Sequence, residues 1–184
     1  TTGAENTGVS AYSLTANTTG SSNVAVGQGS LAANTTADNN TGIGYNSLNA
    51  NTTGAKNTAV GATALDANTT ANDNTAIGFD SLGANTTGSA NTAVGREAME
   101  GNTTGASNTA LGCAALAVQT TADNNTAIGF NALLANTTGT KNTAVGALAL
   151  DATTTGNYNT SVGEQSLTTN TTGGSNTAVG TGAL

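Results

Sequence analysis

Histidine, proline and tryptophan do not occur in this chain, cysteine and methionine occur once each, and charged residues make up only 7%. Most of these gaps exclude a class of function. Without histidine, with a lone cysteine and with scattered carboxylates, no catalytic triad, metal cage or phosphate loop can be assembled, so the reading is of a non-enzyme with no cofactor and no bound metal. Cys113 has no partner for an internal disulfide, and its coil position elsewhere holds Ala, Gln, Tyr, Phe, Arg, Glu or Thr, as a tolerant site does. Three Lys and Arg stand against 10 Asp and Glu, a net charge of −7 with no basic stripe to neutralise phosphates, and nucleic acid is not expected as a partner. No stretch approaches the ~18 consecutive apolar residues of a membrane span, and no signal-peptide pattern stands at the start. Aromatics are 3%. This polar, nearly uncharged composition lies far from average globular usage and would read as disorder but for one feature, the regular spacing of Val and Leu.

That spacing is a seventeen-residue period, kept without insertion or deletion through Asn6, Asn23, Asn40, Asn57, Asn74, Asn91, Asn108, Asn125, Asn142, Asn159 and Asn176. Taking each of these Asn as coil position one, a typical coil reads Asn57-Thr58-Ala59-Val60-Gly61-Ala62-Thr63-Ala64-Leu65-Asp66-Ala67-Asn68-Thr69-Thr70 and then a turn. A fixed period of this kind marks an array in which each unit buries its apolar side only against its neighbours. The expectation is an all-β parallel β-solenoid, a β-roll of about eleven coils, running as one continuous array over 1–184 with no capping segment at either end. At ~4.8 Å per strand step the rod would be about 50 Å long. It reads as a segment of a longer fibre or as a unit that stacks end to end with copies of itself.

Within a coil, Asn-Thr-Ala-Val-Gly reads as a short strand. Position four carries Val26, Ile43, Val60, Ile77, Val94, Leu111, Ile128, Val145 and Val162, and position two carries Thr or Val24, so alternation places these β-branched residues on one face. That face is expected to point inward. A second inward row is formed at position nine by Leu31, Leu48, Leu65, Leu82, Met99, Leu116, Leu133, Leu150 and Leu167. The small residues between would then face outward: Ala25, Gly42, Ala59, Ala76, Ala93, Ala110, Ala127 and Ala144 at position three, and Gly27, Gly44, Gly61, Gly78, Gly95, Gly112, Gly129 and Gly146 at position five. Solvent alone would tolerate Lys or Glu at those sites, so they read as a candidate self-association face. The alternative for the glycines is a corner that needs positive φ.

Asn-Thr-Thr at positions twelve to fourteen closes the coil, and stacked copies would align into Asn and Thr ladders. The same triplets at Asn17, Asn34, Asn51, Asn68, Asn85, Asn102, Asn136 and Asn170 satisfy the N-glycosylation pattern, which makes them candidate modification sites. Thr arrays on a flat face also raise ice binding, although an adjacent Thr pair would send its two members to opposite faces. Three coils differ together. After the turns Ala37-Asp38-Asn39, Ala71-Asn72-Asp73 and Ala122-Asp123-Asn124, the next strand carries Ile43, Ile77 or Ile128, followed by Tyr45-Asn46, Phe79-Asp80 or Phe130-Asn131. They read as a second repeat type, or functionally as Asp and aromatic groups displayed for a metal or a glycan. One Asp per coil falls short of a calcium ligand set.

The strand Thr58-Ala59-Val60-Gly61 and its equivalents resemble the head repeats of trimeric autotransporter adhesins, whose coils carry an Asn-Ser-Val-Ala-Ile-Gly-like strand. The longer cassette resembles repeat arrays of phage tail fibres and large bacterial surface proteins. The resemblance runs through all eleven units. It implies a left-handed β-roll packed as a trimer, although the family's coils are shorter than seventeen residues. The function expected is that of a non-enzymatic structural fibre segment, extracellular, at a cell surface or on a virion, a rigid rod with an adhesive surface as a further expectation. Its partners would be further copies of itself, in a trimer or an end-to-end filament, with a cell-surface glycan or receptor as the outside partner. A receptor-binding phage tail-fibre shaft is the alternative, and an ice-binding protein a further one.

Overall fold

A β-branched residue on each side of a small one, repeated every seventeen residues, produces the strands that the period predicts. A computed structural model describes residues 2–184. Its strands are β1 (Thr7–Val9), β2 (Val24–Val26), β3 (Thr41–Ile43), β4 (Thr58–Val60), β5 (Thr75–Ile77), β6 (Thr92–Val94), β7 (Thr109–Leu111), β8 (Thr126–Ile128), β9 (Thr143–Val145), β10 (Thr160–Val162) and β11 (Thr177–Val179). They form one parallel sheet in sequence order, an all-β solenoid. Each residue pairs with its equivalent seventeen positions on, as Thr58 with Thr75, Ala59 with Ala76 and Val60 with Ile77.

Pairing does not stop where the strands do. Leu65 N–H donates to Ser81 O at 3.1 Å, Thr69 N–H to Thr86 O at 3.1 Å, and Asp73 N–H back to Ala55 O at 3.1 Å. All sides of the coil are therefore tied to the coils above and below. This explains how a coil with little apolar volume holds its shape, because backbone groups left unpaired inside would each cost on the order of 1–3 kcal/mol.

The face assignment within the strand is the reverse of the one expected. Ala25, Ala59, Ala76, Ala93, Ala110, Ala127 and Ala144 at position three are fully buried and line the core with the Leu row, and Gly42 is buried with them. They are not a self-association face. The β-branched row points outward instead: Val26, Val60, Val94, Leu111 and Val145 are half-buried, while Ile43, Ile77, Ile128 and Val162 are 36–40% exposed. The position-nine row lies inside as expected, from Leu31 to Leu150 at 0% and Leu167 at 4% exposure.

Volume is the reason. The interior between the strand and the opposite wall is already filled by Leu at position nine and by Ala or Ser at position eight, such as Ala64, Ala98 and Ser47. A Cβ placed on Gly42 would meet both Ser30 Oγ and Ser47 Oγ. Only a methyl group, or the small hydroxymethyl of Ser161, fits at position three; Val or Ile would overpack it. The glycines at position five, Gly27, Gly44, Gly61, Gly78, Gly95, Gly112, Gly129 and Gly146, have φ between +130° and +142°. They turn the chain off the strand, and a Cβ on Gly61 would run into the backbone of Gly78 in the next coil. Their recurrence along the rod is thus a backbone requirement.

Candidate functional surface

Two columns of buried amides carry the polar side of the interior. At position one, Asn57 Nδ2 donates to Ala71 O at 2.8 Å, and Asn57 Oδ1 accepts the backbone N–H of Asn74 at 3.0 Å. At position twelve, Asn68 Nδ2 donates to Asn51 Oδ1 at 2.8 Å and to Ala71 O at 3.2 Å. Each amide thereby bonds across coils and closes its own turn. Gln119 is accommodated by donating to Ala122 O at 3.0 Å and to Asn102 Oδ1 at 3.4 Å, while its Oε1 accepts from Asn125 at 2.9 Å and Asn136 at 3.2 Å. Thr153 breaks the column. Its hydroxyl donates to Asn170 O at 2.7 Å, and Asn136 Oδ1 is left buried without a partner.

These bonds exclude most of the glycosylation candidates from modification in the folded rod. Asn34, Asn51, Asn68, Asn85, Asn102 and Asn136 are fully buried, and each spends its Nδ2 in the ladder. Asn17 and Asn170 are half-buried, with Nδ2 donating to Gly20 O at 2.9 Å and Gly173 O at 3.0 Å. The attacking nitrogen of a glycosylated Asn must be free and exposed, which the column does not allow.

The Asp and Asn residues of the second repeat type serve the stack as well. Asp38 Oδ1 accepts from Ser21 N–H at 2.6 Å, Asn72 Oδ1 from Ala55 N–H at 2.7 Å, and Asp123 Oδ1 from Ala106 N–H at 2.7 Å. Asn157 does the same for Thr140 N–H at 2.6 Å, so the device extends beyond that repeat type. Each reaches back one coil to a backbone amide that would otherwise face solvent. Among the described residues no group of three His, Cys, Asp or Glu is placed to hold a metal, and no cavity opens in the rod.

What reaches the surface unused is therefore informative. Thr at position thirteen, as Thr52, Thr69 and Thr86, donates its hydroxyl to the next coil's carbonyl at 3.0–3.2 Å. Thr at position two, as Thr58, Thr75 and Thr92, is half-buried on the outer strand face and makes no such bond. Those hydroxyls and the position-four aliphatics form two parallel rows, uncharged along the whole sheet. Around the Gly corner stand Tyr45, Phe79 and Phe130, each 54% exposed. On the same corner Arg96 pairs with Glu97 and donates to Cys113 Sγ at 3.4 Å. On another side, burial pushes the Asp66 carboxyl above its usual range, with Asp80 adding to the shift, and burial does the same to Glu100, helped by Asp80 and Glu97.

Alternation had supplied the membership of the outer row but not its direction; the missing clue was the strict smallness of position three, which a narrow interior enforces. Comparison of the chain with family models, with curated proteins and with solved structures finds no match.

Proposed function

We propose that the chain is a structural fibre segment, a rigid rod without enzymatic activity that lies outside the cell or on a virion and associates with copies of itself. The observation that carries this reading is the coil-to-coil bonding, which runs unbroken along an eleven-stranded sheet and spends nearly every interior polar group on stiffness. Self-association rests on the outer Thr and aliphatic rows. Ile43, Ile77, Ile128 and Val162 expose 36–40% of their surface in one line. An uncharged aliphatic row along the whole sheet is a surface that a second copy can cover. A second rod presents the same rise and the same absence of charge, so its rows can interleave along the full length. A trimer or a filament body would use this face.

Sedimentation velocity on the purified chain is the test, with Val60→Lys and Val94→Lys introduced together on the outer row. The wild-type rod should sediment as an oligomer, and the double variant as a monomer with an unchanged circular dichroism spectrum. A monomeric wild type would remove the self-association. The free position-two hydroxyls favour a second reading on the same face, because a regular column of Thr beside an aliphatic row is what ice binding requires. A monomeric wild type with thermal hysteresis would favour that reading.

A further inference from the structure

We propose that Tyr45, Phe79 and Phe130, each with the Asn or Asp that follows it, form a line of sugar-stacking sites along one corner of the rod for an extended, uncharged β-1,4-linked glycan. The proposal rests on the rod reading and names an outside partner for it.

The chain has three Tyr and two Phe in all, and three of those five rings fall on a single coil position, the one just past the Gly corner. Packing gives no reason for them, since each is 54% exposed and the equivalent residues in neighbouring coils include Ala62, Arg96 and Cys113. Each ring is followed by a residue held in the left-handed region, Asn46 at φ 53°, Asp80 at 55° and Asn131 at 54°. The side chains of Asn46, Asp80 and Asn131 make no hydrogen bond within the rod, unlike the amides of positions one and twelve. An exposed ring with an unpartnered amide or carboxylate on the adjoining residue is a pairing that suits a sugar, the ring for its C–H face and the polar group for its hydroxyls.

Spacing selects the kind of chain. In-register stacking places the rings on one line, two coil steps from Tyr45 to Phe79 and three from Phe79 to Phe130. At the strand spacing these intervals are about 10 Å and about 14 Å. An extended β-1,4-linked glycan advances by nearly one coil rise per sugar and keeps its flat faces in line, so the rings would meet sugars two and three apart. A coiled α-1,4-linked chain turns its faces away from such a line. Charge disfavours an acidic polymer, because the chain carries −7 and Asp80 stands in the row.

The test uses the full chain in isothermal titration with cellohexaose, the hexamer of N-acetylglucosamine and maltohexaose. Binding of at least one β-linked hexamer and none of maltohexaose is expected. Phe79→Ala and Phe130→Ala should each weaken it roughly tenfold, the loss of one stacking contact, and the triple variant with Tyr45→Ala should abolish it. Phe79→Tyr should retain binding. A folded rod that ignores both β-linked hexamers, that takes maltohexaose equally, or whose triple variant binds as well as wild type overturns the proposal. Failure of the rod reading would appear separately, as a circular dichroism spectrum without β-structure before any sugar is added.

Discussion

At the scale of single residues, the rod is governed by what each coil position must do for its neighbour. Gly61 shows the tightest constraint: its φ is +142°, and a methyl group there would enter the backbone of Gly78. Gly61→Ala is expected to destabilise the rod by about 2 kcal/mol or more, read as a lower midpoint in thermal unfolding followed by circular dichroism. Thr153 is the opposite case, a place where the natural residue is worse than its equivalents. Thr153→Asn would offer a side-chain N–H to the buried Asn136 Oδ1, which has no partner, and should raise stability by about 1 kcal/mol. A melting temperature unchanged or lowered by that substitution would contradict the ladder account. Leu65 carries its own tension, with φ 51° at a non-glycine residue. Left-handed geometry of this kind costs roughly 1–2 kcal/mol, and full burial of the side chain offsets it.

At the scale of the strand, the sheet, the period and the Leu row could be read from sequence, but the direction of the strand faces could not. Alternation groups Thr58 with Val60 and sets Ala59 apart; it leaves open which group is inside. Hydrophobicity favours Val60 as the buried residue, yet Ala59 is buried and Val60 is not, because Leu65 and Ala64 already occupy the space between the walls. The constancy of a small residue at position three was the available signal. It expresses a limit on volume, and outward small residues and inward small residues look alike in one sequence. The amide columns were partly legible: Asn at position twelve was expected to stack, while the role of Asn at position one in bonding both the neighbouring backbone and the far turn needed the coil's cross-section. This assignment makes a paired prediction. Ala59→Val should cost about 1–3 kcal/mol by overpacking, whereas Val60→Thr on the outer row should change the unfolding midpoint little, within about 0.5 kcal/mol. Equal effects of the two would reverse the faces again.

For the whole molecule, charge and repetition set the behaviour. Asp66 and Glu100 hold raised carboxyl pKa values, chiefly through burial. A carboxyl raised in the folded state favours folding while protonated and loses that contribution as pH climbs through its folded pKa. The rod should therefore melt higher at pH about 4 than at pH 7, and the Asp66→Asn, Glu100→Gln pair should flatten that difference in a pH series of melting curves. Repetition also bears on how such a molecule changes over generations. Because every coil is bonded to its neighbours through the same positions, the gain or loss of one seventeen-residue unit adds or removes one step of about 4.8 Å and leaves every other contact in place. Unequal recombination between repeats of one length would make that change in a single event. Length becomes a quantity that inheritance can adjust by whole steps, while the residues just past the Gly corner are carried along as marks at fixed distances on a scale.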